Sequence, residues 1–304
     1  MIMQIKQGCN SHIGRRQNQQ DSFGFSDFED ESFLSHGGVM AIVCDGMGGL
    51  EKGEEASILT VKTILDFYMS KKPNQSITDI LDKAVLLAND KVVEEGIDIG
   101  APGNVGTTLA IIVIHENKLF WRTVGDSRIY LQREMKLKQL NVDHTYGNEL
   151  VQKGFSHEEA FQHPDCNALV SFIGVGDTIQ IDKNTSSISL KINDVVLLCT
   201  DGVHNSLSTK EISDILLIPE AMKTAKELQS KALDKQLLHQ DNLTSIVLRI
   251  ESNSYASNKF FSWNVRASYF VSLVFAIILY LSNAVYLGGI NVDVTKFPFL
   301  FFWK

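Results

Sequence analysis

Two stretches of this chain run through apolar and β-branched residues and stop on Asp-Gly. VMAIVC leads into DGMGG at Asp45, and VVLLCT leads into DG at Asp201. Asp126 sits in GDSR between two further strand-like runs, Asp241 directly precedes LTSIVLRI, and Asp21 opens the strand-like DSFGF. Asp-Gly is an ordinary turn, and any one of these would pass as a surface residue. Five together constrain the fold more tightly, because the strands of a sheet end at shared edges. Carboxylates gathered at one edge repel one another unless cations stand between them. Clustered hard oxygens suit Mg²⁺ or Mn²⁺ and not zinc, and no His/Cys set competes for the metal. Gly46 and Gly202 let backbone approach such a centre, so a glycine carbonyl is a further candidate ligand. Two ions a few ångströms apart can direct an activated water at a phosphorus centre. Arg15 and Arg16 lie just upstream of Asp21, and one of them could grip phosphate with its planar fork. Residue chemistry alone reaches a two-metal phosphoryl hydrolase of unknown substrate.

The order of periodicities sets the fold class. Short β-branched runs predict strands over 39–44, 108–114, 118–124, 128–132, 179–181, 187–191, 195–200 and 243–250. Apolar residues at three- and four-residue spacing predict helices over 54–69 and 77–95. Ser208 with Glu211 is a capping-box signature opening a helix through Leu217, and a further helix is expected over 221–238. Strands, two helices, many strands, two helices and a last strand do not alternate as a doubly wound parallel sheet does. The pattern is that of an α+β layered sandwich of largely antiparallel sheets with helices outside. No Pro/Gly/Ser-rich break, low-complexity tract or repeat interrupts the first 250 residues, so they read as one domain.

Beyond that domain the composition changes. Lys and Arg number 28 against 36 Asp and Glu, a formal charge of −8. Four of the basic and two of the acidic residues lie beyond residue 250, leaving the first 250 at a formal −10. A domain of that sign has no general pull on nucleic acid, and a nucleic-acid phosphohydrolase is disfavoured on that ground. No charge occurs between Arg266 and Asp293, and the run over 267–290 is long enough as a helix to cross a bilayer core of about 30 Å. The expected division is a domain over 1–250, a polar linker over 251–266, a single transmembrane helix over 267–290 and a short tail over 291–304. Lys259 and Arg266 flank the helix, and the N-terminus lacks a signal-peptide core. The expected location is the cell membrane, single-pass, with the first domain in the cytoplasm. Cys9, Cys44, Cys166 and Cys199 form no CxxC pair and read as reduced thiols, Cys44 and Cys199 as buried small hydrophobes.

The motifs have a recognisable order. RRQNQQD (15–21), DGMGG (45–49), GTT (106–108), GDSR (125–128), DHT (143–145), TDG (200–202) and DN (241–242) resemble the metal-dependent protein Ser/Thr phosphatase family, type 2C, over roughly residues 8–250. The resemblance implies a four-layer α-β-β-α sandwich with a binuclear Mn²⁺/Mg²⁺ centre at one end. By motif, Asp45 would bridge the ions, the Gly46 carbonyl would join the shell, Asp201 and Asp241 would complete one ion's ligands, and Asp21 would support the other through water. Asp126 corresponds to a ligand of a third ion, and Arg16 to the phosphate-binding arginine. The stretch over 145–173 falls where the family carries a mobile flap. The implied activity is hydrolysis of phosphoserine and phosphothreonine in proteins, by direct attack of a metal-activated water. Phosphoproteins are the expected substrates, and a cognate Ser/Thr kinase is a candidate partner.

Two departures qualify the resemblance. Gln20 stands where many members carry Glu, and Met47 stands where eukaryotic members carry a histidine proposed as general acid. Met cannot donate a proton. His144 is a candidate substitute acid, but ordering the turn before the flap is its favoured role. The rival reading is a membrane-tethered pseudophosphatase acting as a binding module; the survival of Asp45, Asp201 and Asp241 argues against it.

Overall fold

Consecutive residues of the strand before Asp45 are all inaccessible: Met40, Ala41, Ile42 and Val43 each expose 0% of their surface. Side chains of a strand alternate between its faces, so this strand is covered on both sides. The partners on the two sides differ. Met40, Ile42 and Cys44 pack among Ile64, Tyr68, Leu81 and Val85, which belong to helices. Ala41 and Val43 pack among Ile129, Leu198, Ile246 and Leu248, which belong to other strands.

The computed structural model describes residues 3–47 and 52–252. In chain order the elements are β1 (Met3–His12), β2 (Asp21–Phe25), α1 (Glu31–Gly37), β3 (Val39–Asp45), α2 (Gly53–Met69), α3 (Ile77–Asp98), β4 (Leu109–His115), β5 (Lys118–Val124), β6 (Arg128–Arg133) and β7 (Lys136–Gln139). They continue as α4 (Tyr146–Gln152), α5 (His157–Phe161), β8 (Asp182–Lys183), β9 (Ile188–Ser189), β10 (Val195–Cys199), α6 (Asp201–His204), α7 (Thr209–Ile215), α8 (Ala221–Leu233) and β11 (Leu243–Ser252). One sheet has the order β1-β11-β10-β6-β7, and the other β2-β3-β4-β5-β8, with β9 also paired to β5. Pairing is antiparallel from β2 through β5 and from β11 through β10 and β6 to β7.

Three apolar layers fill the spaces between. α2 and α3 cover the outer face of the β3 sheet. The inner faces of the two sheets meet through Ala110, Ile112, Trp121, Val196 and Ile246. α7 and α8 cover the outer face of the other sheet through Ile212, Ala225 and Leu228, against Leu197 and Val247. This is the expected four-layer α-β-β-α sandwich of antiparallel sheets. Burial on both faces explains why its strands read as continuous apolar runs.

Several boundaries differ from expectation. The strand expected over 179–181 is absent: a turn of 3₁₀ helix over Gly176–Thr178 leads instead to the two-residue β8. Ile179 and Ile181 nevertheless pack against the helix-side core, which accounts for the alternation that mimics a strand. The helix expected over 221–238 stops at Leu233, and Gln236 takes a φ of 52°, incompatible with its continuation. The capping box at Ser208 and Glu211 is formed as expected. Cys44 and Cys199 are buried thiols.

β11 extends through Ser252, so the first two residues of the expected linker are strand. Among the described residues no helix is long and apolar enough to cross a membrane. The rest of the expected linker, the helix over 267–290 and the tail over 291–304 lie outside the described residues.

Candidate active site

The aspartates sit where strands of both sheets end. Asp21, the first residue of β2, is the cross-strand partner of Asp45, the last residue of β3. Asp201 follows β10 and opens α6, while Asp241 precedes β11, the neighbour of β10. Asp126 lies in the tight link between β5 and β6, where the chain steps from one sheet to the other.

Backbone approach is close at two glycines. A Cβ on Gly46 would lie 2.2 Å from the Gly53 carbonyl oxygen and 2.7 Å from that of Gln20. A Cβ on Gly202 would lie 1.9 Å from the Asn242 carbonyl oxygen. Any side chain at either position would push the β3 end away from α2, or the start of α6 away from β11.

GTT holds the central aspartate. The Asp45 N–H donates to Thr108 Oγ1 at 2.9 Å, and its carbonyl accepts from Thr107 Oγ1 and from the Thr108 N–H, both at 2.8 Å. With its backbone so fixed, the carboxylate is left to its surroundings, and these are acidic. Burial first, then the negative charges of Asp21, Asp201, Asp126 and Asp241, push Asp45 well above the usual carboxylate range. The other four aspartates picked out in the sequence therefore all act electrostatically on Asp45. Asp201 stands within hydrogen-bonding reach of it, and burial and the charge of Asp241 raise Asp201 to about 6. Burial raises Asp21 to about 7, against the stabilising hydrogen bonds of Thr244 and Thr200. Burial, Asp201 and Asp143 raise Asp126 to about 7.

Such a cluster fits a hard divalent cation. The Asp21 Oδ1 and Asp201 Oδ1 oxygens are buried without a hydrogen-bond partner, and the donors are all oxygen. Positive charge among them would reverse every one of these shifts. Among the described residues no three His, Cys, Asp or Glu side chains close on one point.

Arg16 reaches this edge from the β1–β2 loop. Its Nη2 donates to Asp241 Oδ2 at 2.6 Å, and it lines a cavity of about 630 Å³ with Arg15, Gln20, Lys52, Gly53 and Glu54. The loop is tied by a residue that sequence reasoning did not single out for this role. Asn242 accepts from the Gln20 N–H at 2.7 Å and donates through Nδ2 to the Ile13 and Asn18 carbonyls at 2.8 and 3.1 Å. Thr200 was also missed as a contributor, and its Oγ1 donates to Asp21 Oδ2 at 2.9 Å. Both stand beside quoted aspartates in TDG and DN, which was the available signal.

A second cavity of about 480 Å³ opens beside Asp126 and Asp201, lined also by Arg128, Asp143, His157 and His204. The stretch over 145–173 forms one wall as α4 and α5, closed by Tyr146 N–H to the Ala168 carbonyl and Val170 N–H to that of His144, both at 2.9 Å. His144 takes the structural role: its Nδ1 accepts from the Gly125 N–H at 3.2 Å, and burial lowers its pKa. His204, unnoticed in the sequence, places Nε2 3.1 Å from the Asp126 carbonyl oxygen.

A family model described as Protein phosphatase 2C matches residues 9–240. The chain is 32% identical over 226 residues to the serine/threonine phosphatase stp of Listeria welshimeri, covering 70% of this chain and 84% of that one. It is 35% identical over 205 residues to the protein phosphatase PhpP of Streptococcus pneumoniae, covering 64% and 82%. Among solved structures, the catalytic domain of the serine/threonine protein phosphatase PstP in complex with two manganese ions superposes with a TM-score of 0.68 at 27% identity, covering 83% of this chain and all of that one.

Proposed function

The chain belongs to the protein phosphatase 2C family, and from that premise we infer that it hydrolyses phosphoserine and phosphothreonine in proteins with Mn²⁺ or Mg²⁺. It is a protein serine/threonine phosphatase, and its substrates are phosphoproteins. The observation that carries the reading is the convergence of Asp21, Asp126, Asp201 and Asp241 on Asp45.

Asp45, Asp201 and Asp241, with the Gly46 carbonyl, would hold the ions, Asp21 would act through water, and Asp126 with Asp201 would serve a third. When bound, the metal supplies Lewis-acid charge and activates water for direct attack on phosphorus. The chain's own part is positioning. Thr107 and Thr108 keep Asp45 from turning. Arg16 orients the phosphate with its fork, a phosphate oxygen taking the place that Asp241 occupies on the guanidinium. Asn242 keeps the Arg16 loop at the correct height above β11.

The finer reading is a phosphatase tethered to the cell membrane by residues 267–290, its catalytic domain cytoplasmic and a membrane Ser/Thr kinase among its partners. Its support is the uncharged run and its basic flank in the sequence. Recovery of the full chain wholly in the soluble fraction without detergent would overturn the tether. The activity is tested by release of phosphate from a small aryl phosphate and from a phosphothreonine peptide by the full chain, titrated with Mn²⁺ and then with EDTA. Release from both, abolished by EDTA, is expected. No release at any Mn²⁺ concentration from folded protein would overturn the reading and favour a binding module.

A further inference from the structure

β2 is an edge strand. It pairs with β3 on one side, and no described strand pairs with the other. Beside that open edge lies a groove of about 410 Å³ whose walls come from three layers: Phe23 and Ser22 of β2, Ile58, Val61 and Lys62 of α2, and Ser11 of β1 in the other sheet. Phe23 and Ile58 are exposed by 41% and 50%, large apolar side chains flanking an unpaired strand edge. An edge of this kind ordinarily carries charge or a cover to prevent pairing with another chain. Here Ser22 is bonded to Ser57 of α2 at 2.8 Å, so strand and helix are held together and the groove between them is fixed.

The groove leads to the aspartates. Asp21 is both the first residue of β2 and part of its lining, and Gln19 lines it next to Gln20 of the Arg16 cavity. Glu54, Ile58 and Lys62 follow at four-residue spacing along one exposed face of α2, joining the two cavities. Glu54 of the Arg16 cavity and Ile58 of the groove are thus separated by a rise of about 6 Å along α2.

We propose that the β2 edge and the Phe23–Ile58 groove receive an extended, apolar segment of the phosphoprotein substrate, next to the phosphorylated residue. The proposal rests on the phosphatase reading. Main-chain pairing with an open edge gives affinity without regard to sequence, and alternate side chains dropping beside Phe23 and Ile58 add the preference. Specificity would thus lie in the flank of the phosphoresidue.

The test compares kcat/KM of the full chain on two phosphothreonine peptides, one flanked on both sides by Ile and Val and the other by Gly and Ser, with a small aryl phosphate as control. The apolar flank is expected to be preferred by about tenfold, through KM, the size of one good apolar contact. Ile58→Glu, at an exposed helix position, should erase the preference and leave aryl phosphate hydrolysis unchanged; Phe23→Ser should do the same. Normal aryl phosphate hydrolysis with no flank preference would overturn the docking site and leave the phosphatase reading standing. Equal loss on all three substrates in both variants would also overturn it. A concentration-dependent dimer dissolved by Ile58→Glu would overturn it by assigning the edge to a second copy of this chain. Hydrolysis of none of the substrates by the unaltered protein would remove the phosphatase reading, and the docking site with it.

Discussion

Asp21 and Asp45 are direct cross-strand neighbours, the first residue of β2 opposite the last of β3. Like charges in that relationship are destabilising. Burial compounds the repulsion and drives both carboxyls toward the protonated form. The cluster is therefore unfavourable to the bare fold at neutral pH and favourable to the fold with cations.

The stability of the metal-free protein carries that signature. Asp21 and Asp126 rise from an ordinary 3.8 to about 7, and Asp201 to about 6. A raised carboxyl contributes stability that is present below its unfolded value and lost as pH rises through its folded value. His144 and His204, lowered by burial, act in the opposite sense, but only below the ordinary histidine value of 6.5. Between pH 6.5 and 8 the aspartates dominate. In EDTA, Tm followed by circular dichroism should fall across that interval, and saturating Mn²⁺ should remove the fall. A Tm that rises from pH 6.5 to 8 in EDTA would contradict the clustering.

Asp45→Asn separates site from scaffold. Removing the central charge should raise Tm in EDTA at pH 8, since four neighbours lose their common repulsion. Metal-dependent hydrolysis should fall by more than about a hundredfold, the upper effect of losing even an outer partner of a metal. Retained activity would show that Asp45 is not at the centre.

Asn242→Ala should loosen the loop that carries Arg16. Its side chain makes three hydrogen bonds to backbone groups of that loop, and Asn242 exposes only 3% of its surface. Their loss should destabilise the fold by about 2 kcal/mol in urea denaturation. KM for aryl phosphate should rise more than kcat falls. Asn242→Asp keeps the acceptor toward Gln20 but sets a buried carboxylate against the Ile13 and Asn18 carbonyls, and should be at least as destabilising as Asn242→Ala. An Asn242→Ala protein as stable as the parent, with unchanged KM, would count against the tie.

Arg16→Lys keeps the charge and loses the fork. Bidentate grip on phosphate needs the planar guanidinium. Inhibition by inorganic phosphate should weaken by about tenfold, one lost charge-assisted hydrogen bond. Arg15→Lys, tested alongside, should leave inhibition within about twofold, as befits an exposed surface arginine in the usual range of such changes. If the two arginines exchange these outcomes, the phosphate grip belongs to Arg15.

Much was legible because burial writes a strong pattern. The central strands are covered on both faces, so 39–44, 118–124, 195–200 and 243–250 stand out as apolar runs, and their terminal aspartates stand out against them. Edge elements carry no such signal. β1 is ten residues long, but only Gly8 of MQIKQGCNSH is fully buried, so it reads as polar loop. β7, KLKQ, alternates between exposed and half-buried and escapes for the same reason. α1, α4 and α5 are too short to show a helical period.

The sandwich class, the oxygen-rich and zinc-averse chemistry and the aspartates at the strand ends were readable from the chain alone, because they follow from periodicity and from donor type. The folded molecule alone shows that Thr200 bonds Asp21 across 179 positions, that Asn242 ties a loop 224 positions away, and that among the described residues the β2 edge is left open beside the aspartates. Contacts of that separation depend on which edges of two stacked sheets meet. That is settled by packing of the Ala41, Val43, Ile246 and Leu248 layer as a whole, a property of no single stretch of chain.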